Sequence, residues 1–110
     1  MTIHNIIMNS FFKRKPTQSV NIITVTNDKI QTEIIAVIAN DNKALRRLKQ
    51  EIKGYIASWY QGKGQEPKTA RQYYDDGWSK PNKSRSQTHS WKLDEGDWYT
   101  EYAISKYKID

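Results

Sequence analysis

Arg46, Lys49 and Lys53 follow one another at gaps of three and four residues. At about 100° per residue, that spacing sets three cations on one side of a helix, with Tyr60 further along the same side. Glu51 falls on the other side, near Arg47, so the row is not neutralised within its own helix. Such a row suits a polyanion, because ammonium and guanidinium groups neutralise phosphates without reading a sequence. Lys80, Lys83 and Arg85 form a second set, and Lys63 and Arg71 stand between the two.

Aromatic residues accompany these cations. Four Trp and seven Tyr stand against two Phe, and rings with a polar tip suit half-exposed positions. Trp59-Tyr60 precede Lys63, Tyr73-Tyr74 follow Arg71, Trp78 precedes Lys80 and Trp91 precedes Lys92. Cations on phosphates and flat rings on bases are the combination that nucleic-acid surfaces use. Trp59, Trp91 and Trp98 are expected in the core, and Tyr60, Tyr73, Tyr74 and Trp78 on the surface. The expected function is non-catalytic binding of DNA or RNA with little base specificity. Its residues would be Arg46, Lys49, Lys53, Tyr60, Lys63, Arg71, Tyr73, Tyr74, Trp78, Lys80, Lys83 and Arg85. The alternative is a small adaptor or inhibitor that acts on another protein by direct contact.

Catalytic and metal-binding patterns are poorly matched. His4 and His89 are far apart, and no third group is marked to orient either. Asp94, Glu95 and Asp97 surround Gly96, but their spacing is not that of a calcium loop. Asp41, Glu51 and Lys53 superficially resemble a metal-nuclease set, which needs a strand where this stretch is helical. Gly62-Lys63-Gly64 lies between two helices, a placement that resembles the loop of KH RNA-binding domains. Its glycines are one residue apart instead of two, and Gln65-Glu66-Pro67 follows where an apolar helix start is needed, so the likeness is set aside. Cysteine is absent, which removes disulfides and thiolate chemistry. The reading is of a protein that is not an enzyme and carries neither cofactor nor metal.

The net charge of +6 is unevenly spread: residues 41–93 hold 12 basic and 5 acidic side chains, whereas residues 94–110 hold 2 and 5. A basic middle favours polyanionic partners. The acidic end could meet a basic patch on a second copy, so a monomer or weak homo-oligomer is expected. No run of about 18 apolar residues is present to cross a membrane. Met1 to Lys15 places its cations after its apolar residues, the reverse of a signal peptide. A cytoplasmic protein with no membrane partner is expected.

These residues need elements to position them, and 110 residues suffice for one domain (1–110) with a single core. Leu45, Leu48, Ile52, Tyr55, Ile56 and Trp59 trace the apolar stripe of a helix over about 41–60, with Asn40 or Asp41 as its cap. Thr69 to Asp76 fits a short second helix between a Thr cap and Gly77. Residues 3–8 suggest a possible N-terminal strand. Residues 19–39 suggest a β-hairpin pairing Thr26 with Ile30 and Ile22 with Ile34, its second strand central in the sheet because Ile34 to Ile38 is apolar on both faces. A second hairpin, with Glu95-Gly96 as turn, would set Leu93 opposite Trp98; a C-terminal helix from Asp97 is the alternative. Residues 79–88 lack an apolar side chain and are expected to form a mobile loop. The fold class is therefore α+β: an antiparallel sheet with the long helix packed on one face.

Overall fold

A computed structural model describes residues 19–27, 31–61, 68–94, 96 and 98–109. The possible strand at residues 3–8 lies outside these. The elements run β1 (Ser19–Asn27), β2 (Gln31–Ile38), α1 (Asp41–Gln61), α2 (Ala70–Asp76), β3 (Trp78–Ser79), β4 (Gln87–Asp94) and β5 (Tyr99–Lys108). The strands form one five-stranded antiparallel sheet in the order β2-β1-β5-β4-β3. This is an α+β fold, and residues 99–108 are strand rather than helix.

The last strand in sequence is the middle one in space. β5 pairs with β1 on one side and β4 on the other, and Tyr102, Ala103 and Ile104 are buried in succession, as a central strand requires. Among the described residues β2 is at an edge instead of the centre. Its two-sided apolar run has another cause. The register shifts between the Ile23–Ala36 and Thr24–Ile34 pairs, leaving Ile35 as an extra residue. That bulge lets Ile35 and Ala36 both pack toward the main core, while Val37 joins Val20, Ile22 and Ile109 in a separate cluster.

Both hairpins pair two places away from the expected register. Thr26 faces Thr32 and Leu93 faces Thr100. Pairing runs up to Asn27 and Gln31 in the first hairpin and up to Asp94 and Tyr99 in the second. A shift of two preserves which side chains share a face. Trp91, Leu93, Tyr102 and Ile104 thus point together into the core beneath α1, whereas Trp98, expected in the core, is only half-buried against it. Ala36 is the exception, since the bulge pairs it with Ile23 on the helix-covered face.

α1 begins where the Lys43 amide donates to Asn40 Oδ1 at 2.9 Å, so Asn40 is the cap. The Asp41 carboxylate serves as an anchor, accepting from Asn21 Nδ2 at 2.9 Å and Lys106 Nζ at 2.9 Å. These bonds, that from buried Asn21 foremost, hold its pKa below the ordinary value. The buried stripe of α1 is Ala44, Leu48, Ile52 and Ile56, one residue per turn. Leu45, Tyr55 and Trp59 are only half-buried along its margin, contrary to the expectation for Leu45 and Trp59. Tyr55 reaches the sheet, where its hydroxyl donates to the buried Thr100 Oγ1 at 3.0 Å.

Candidate nucleic-acid interface

Trp91 decides where α2 sits. Its indole is fully buried, and Nε1 donates to the Tyr74 carbonyl at 2.9 Å near the end of that helix. Gly77 closes α2 with an ordinary helical φ of −78°, so its role is not left-handed backbone. A Cβ at Gly77 would overlap the Trp91 ring. The front of α2 is fixed by a capping box: Thr69 Oγ1 accepts from the Gln72 amide, and Gln72 Oε1 from the Thr69 amide.

So placed, α2 lies beside the basic flank of α1, and the two helices enclose a cleft of about 420 Å³. Lys49, Lys53, Ile56 and Ala57 line it from α1, and Ala70, Arg71 and Tyr74 from α2. The Lys53 ammonium sits 5.3 Å from the centre of the Tyr74 ring, and Trp78 meets that ring edge-on at 5.7 Å. Such a cation–ring contact holds Lys53 toward the cleft.

The charges on the two flanks of α1 are arranged differently. Arg47 pairs with Glu51 at 3.2 Å on the far flank. Among the described residues, no carboxylate comes within ion-pair range of Arg46, Lys49 or Lys53. Arg71 is less free, because Asp75 accepts from its Nε at 3.1 Å. The cleft therefore carries three cations against one adjoining carboxylate.

Of the twelve residues singled out in the sequence, Lys49, Lys53, Arg71 and Tyr74 meet in this cleft, and Trp78 buttresses it. Arg46 is exposed on α1, one turn before Lys49. The ring centres of Tyr60 and Tyr73 are 6.4 Å apart, and those of Tyr73 and Trp59 are 4.8 Å apart in a T-shaped arrangement. Tyr60, Tyr73, Tyr74 and Trp78 are half-buried, not fully exposed, because they pack on one another and on the main core where α1, α2 and β3 come together. Lys63 lies outside the described residues.

Lys80, Lys83 and Arg85 belong to the connection between β3 and β4, which has internal structure. Asn82 Oδ1 accepts from the Ser84 amide at 3.0 Å and the Ser84 hydroxyl at 2.6 Å. A 3-10 turn spans Lys83–Arg85, and Ser86 closes it at φ 58°. Its serines and asparagine thus supply by hydrogen bonds what the segment lacks in apolar contact. Arg85 leads away from the cleft. It lines a smaller groove of about 280 Å³ with Thr24, Thr26, Thr32, Glu101 and Tyr107. Those strand residues alternate with Ile23, Val25 and Tyr102, which pack under α1, so this groove is on the opposite face of the sheet.

Ala57 and Ala70 are site residues that reasoning from charge and aromaticity overlooks. The signal for Ala57 was present: it follows Lys53 by four residues and Lys49 by eight, on the same side of α1. His89 is also near this region, its pKa lowered by burial and by the Lys49 charge, with Asp41 opposing. Among the described residues, no group of His, Asp and Glu is placed to hold a metal ion, and no helix is long and apolar enough to cross a membrane. No protein-family model, curated protein or solved structure matches the chain.

Proposed function

We propose that the chain is a non-catalytic nucleic-acid-binding protein that holds DNA or RNA by its phosphates, with little base specificity. The observation carrying this reading is the convergence of Lys49, Lys53 and Arg71, from two helices, on one cleft, with Arg46 continuing the row. Lys49 and Lys53, which no carboxylate pairs among the described residues, leave net positive charge beside the cleft, and that favours an anionic ligand. Lys80 and Lys83 are exposed and available for outlying phosphates. A location in the cytoplasm accords with this reading. The test is oligonucleotide binding against salt. The logarithm of the affinity for duplex DNA should fall linearly with log salt, with a slope of about −0.9 per neutralised phosphate. Replacing Arg46, Lys49 and Lys53 by Gln should make that slope shallower and weaken all sequences alike. Undetectable binding at about 20 mM salt, where such contacts are strongest, rejects the proposal.

A second reading, action on a protein partner, is favoured by β2. Among the described residues it is paired on one side only, and Ile34 on it is 40% exposed. Edge strands of this kind accept a strand from another chain. A pull-down whose captured protein survives nuclease treatment and is lost on Ile34→Lys supports it.

A further inference from the structure

We infer that the cleft between α1 and α2 is shaped for a single strand, receiving one unstacked base on its apolar floor while the surrounding cations hold the flanking phosphates. This rests on the phosphate-binding reading and goes beyond it by naming the kind of strand. A helix face that only touches duplex phosphates needs charge on a convex surface. Here the cations surround a hollow of about 420 Å³, within the range of about 300–1,000 Å³ found for small-ligand sites.

The floor is what phosphates cannot use. Ile56, Ala57 and Ala70 present hydrocarbon, and the two alanines, one from each helix, leave room for a flat ring to approach. A ligand that fits carries a planar, weakly polar part and anionic groups on either side of it. A nucleotide within a strand has that form. In a duplex the bases are paired and stacked inside, so the floor would remain unfilled. Lys49 and Lys53 are one turn apart, about 6 Å along the helix axis, and Arg71 is on the facing helix. The Tyr74 ring, in contact with the Lys53 ammonium and in a T-shaped arrangement with Trp78, forms a wall beside the base.

The experiment compares a 12-nucleotide thymidine strand, an abasic deoxyribose-phosphate strand of the same length and a duplex, each titrated with the wild type, Ala57→Leu and Ala57→Ser. Ala57 is exposed on a long helix and leucine is a good helix former, so folding is preserved, and circular dichroism verifies it. The wild type should bind the thymidine strand about fivefold or more tighter than the abasic one, the lower end of what one base contributes. Ala57→Leu should remove about that factor for the thymidine strand and leave the duplex within about twofold, whereas Ala57→Ser retains the preference. Equal binding of abasic and base-bearing strands, with a normal salt slope, overturns this inference and leaves the phosphate reading in place. No binding of any strand overturns both. Binding of an acidic, leucine-containing peptide that Ala57→Leu abolishes, while strands are unaffected, also overturns it.

Discussion

Lys49, Lys53 and Arg71 surround a hollow with a hydrocarbon floor, whereas Lys80, Lys83 and Arg85 project from a hydrogen-bonded turn, and Arg85 faces the other side of the sheet. The two sets have the same formal charge. They differ in what supports them. The first rests on α1 and α2, both packed on the main core, with Trp91 beneath them. The second rests on local bonds centred on Asn82. Equal charge therefore does not mean equal use: a ligand held by the first set meets apolar surface as well as cations.

The largest expected effect comes from removing the packing that creates the cleft. Trp91→Ala should destabilise the fold by about 3–5 kcal/mol and Leu48→Ala by about 2–5 kcal/mol, read by chemical denaturation. Either change near neutral would mean the cleft does not depend on the core beneath it. Trp91→Phe is the finer probe. It keeps an aromatic ring but withdraws the donor to the Tyr74 carbonyl, so affinity should fall through misplacement of α2 even where folding is complete.

The second effect sets the two cation groups against each other. Lys49→Gln with Lys53→Gln should weaken single-strand binding by about tenfold, or 1.4 kcal/mol, more than the combined change of Lys80, Lys83 and Arg85 to Gln. Equal losses would erase the distinction between cleft and turn. Asn82→Ala perturbs the turn alone. It removes a cap contributing about 0.5–2 kcal/mol locally, and tryptic cleavage after Lys83 and Arg85 should accelerate while cleft binding is unchanged.

The smallest effect concerns how α1 is tethered. The folded-state pKa of Asp41 is depressed, chiefly by Asn21 and then by Lys106. Its contribution is therefore fully present above the ordinary value of 3.8 and is lost as pH falls through the lower folded value. Asp41→Asn should lower the denaturation midpoint slightly at pH 7, and the gap from wild type should close at the acid end. A gap that persists unchanged at the lowest pH would show that the carboxylate's charge is not what tethers the helix.

Much of the fold was legible because it is governed locally. The spacing of Leu48, Ile52 and Ile56 is sufficient to specify α1, and Thr69 and Gly77 bracket α2 by the chemistry of its ends. The flank carrying Arg46, Lys49 and Lys53 follows from helical geometry alone, and so does the separation of Arg47 and Glu51 from it. Strand periodicity likewise placed Trp91, Leu93, Tyr102 and Ile104 on one face, since an error of two residues in register leaves faces unchanged.

What the chain's pattern left open was decided by long-range packing. That β5 is central and, among the described residues, β2 peripheral depends on which edges meet, and a two-sided apolar pattern reads the same in a bulged edge strand as in an inner one. The cleft depends on Trp91 capturing the Tyr74 carbonyl seventeen residues away, and on Gly77 making room for the indole. No local preference encodes that contact. Sequence determined which residues are cationic, flat or small; only the tertiary structure brought Lys49, Lys53, Ala57, Ala70, Arg71 and Tyr74 around one hollow and left Arg85 on the opposite face, because side-chain neighbours across two helices are set by the shared core they bury.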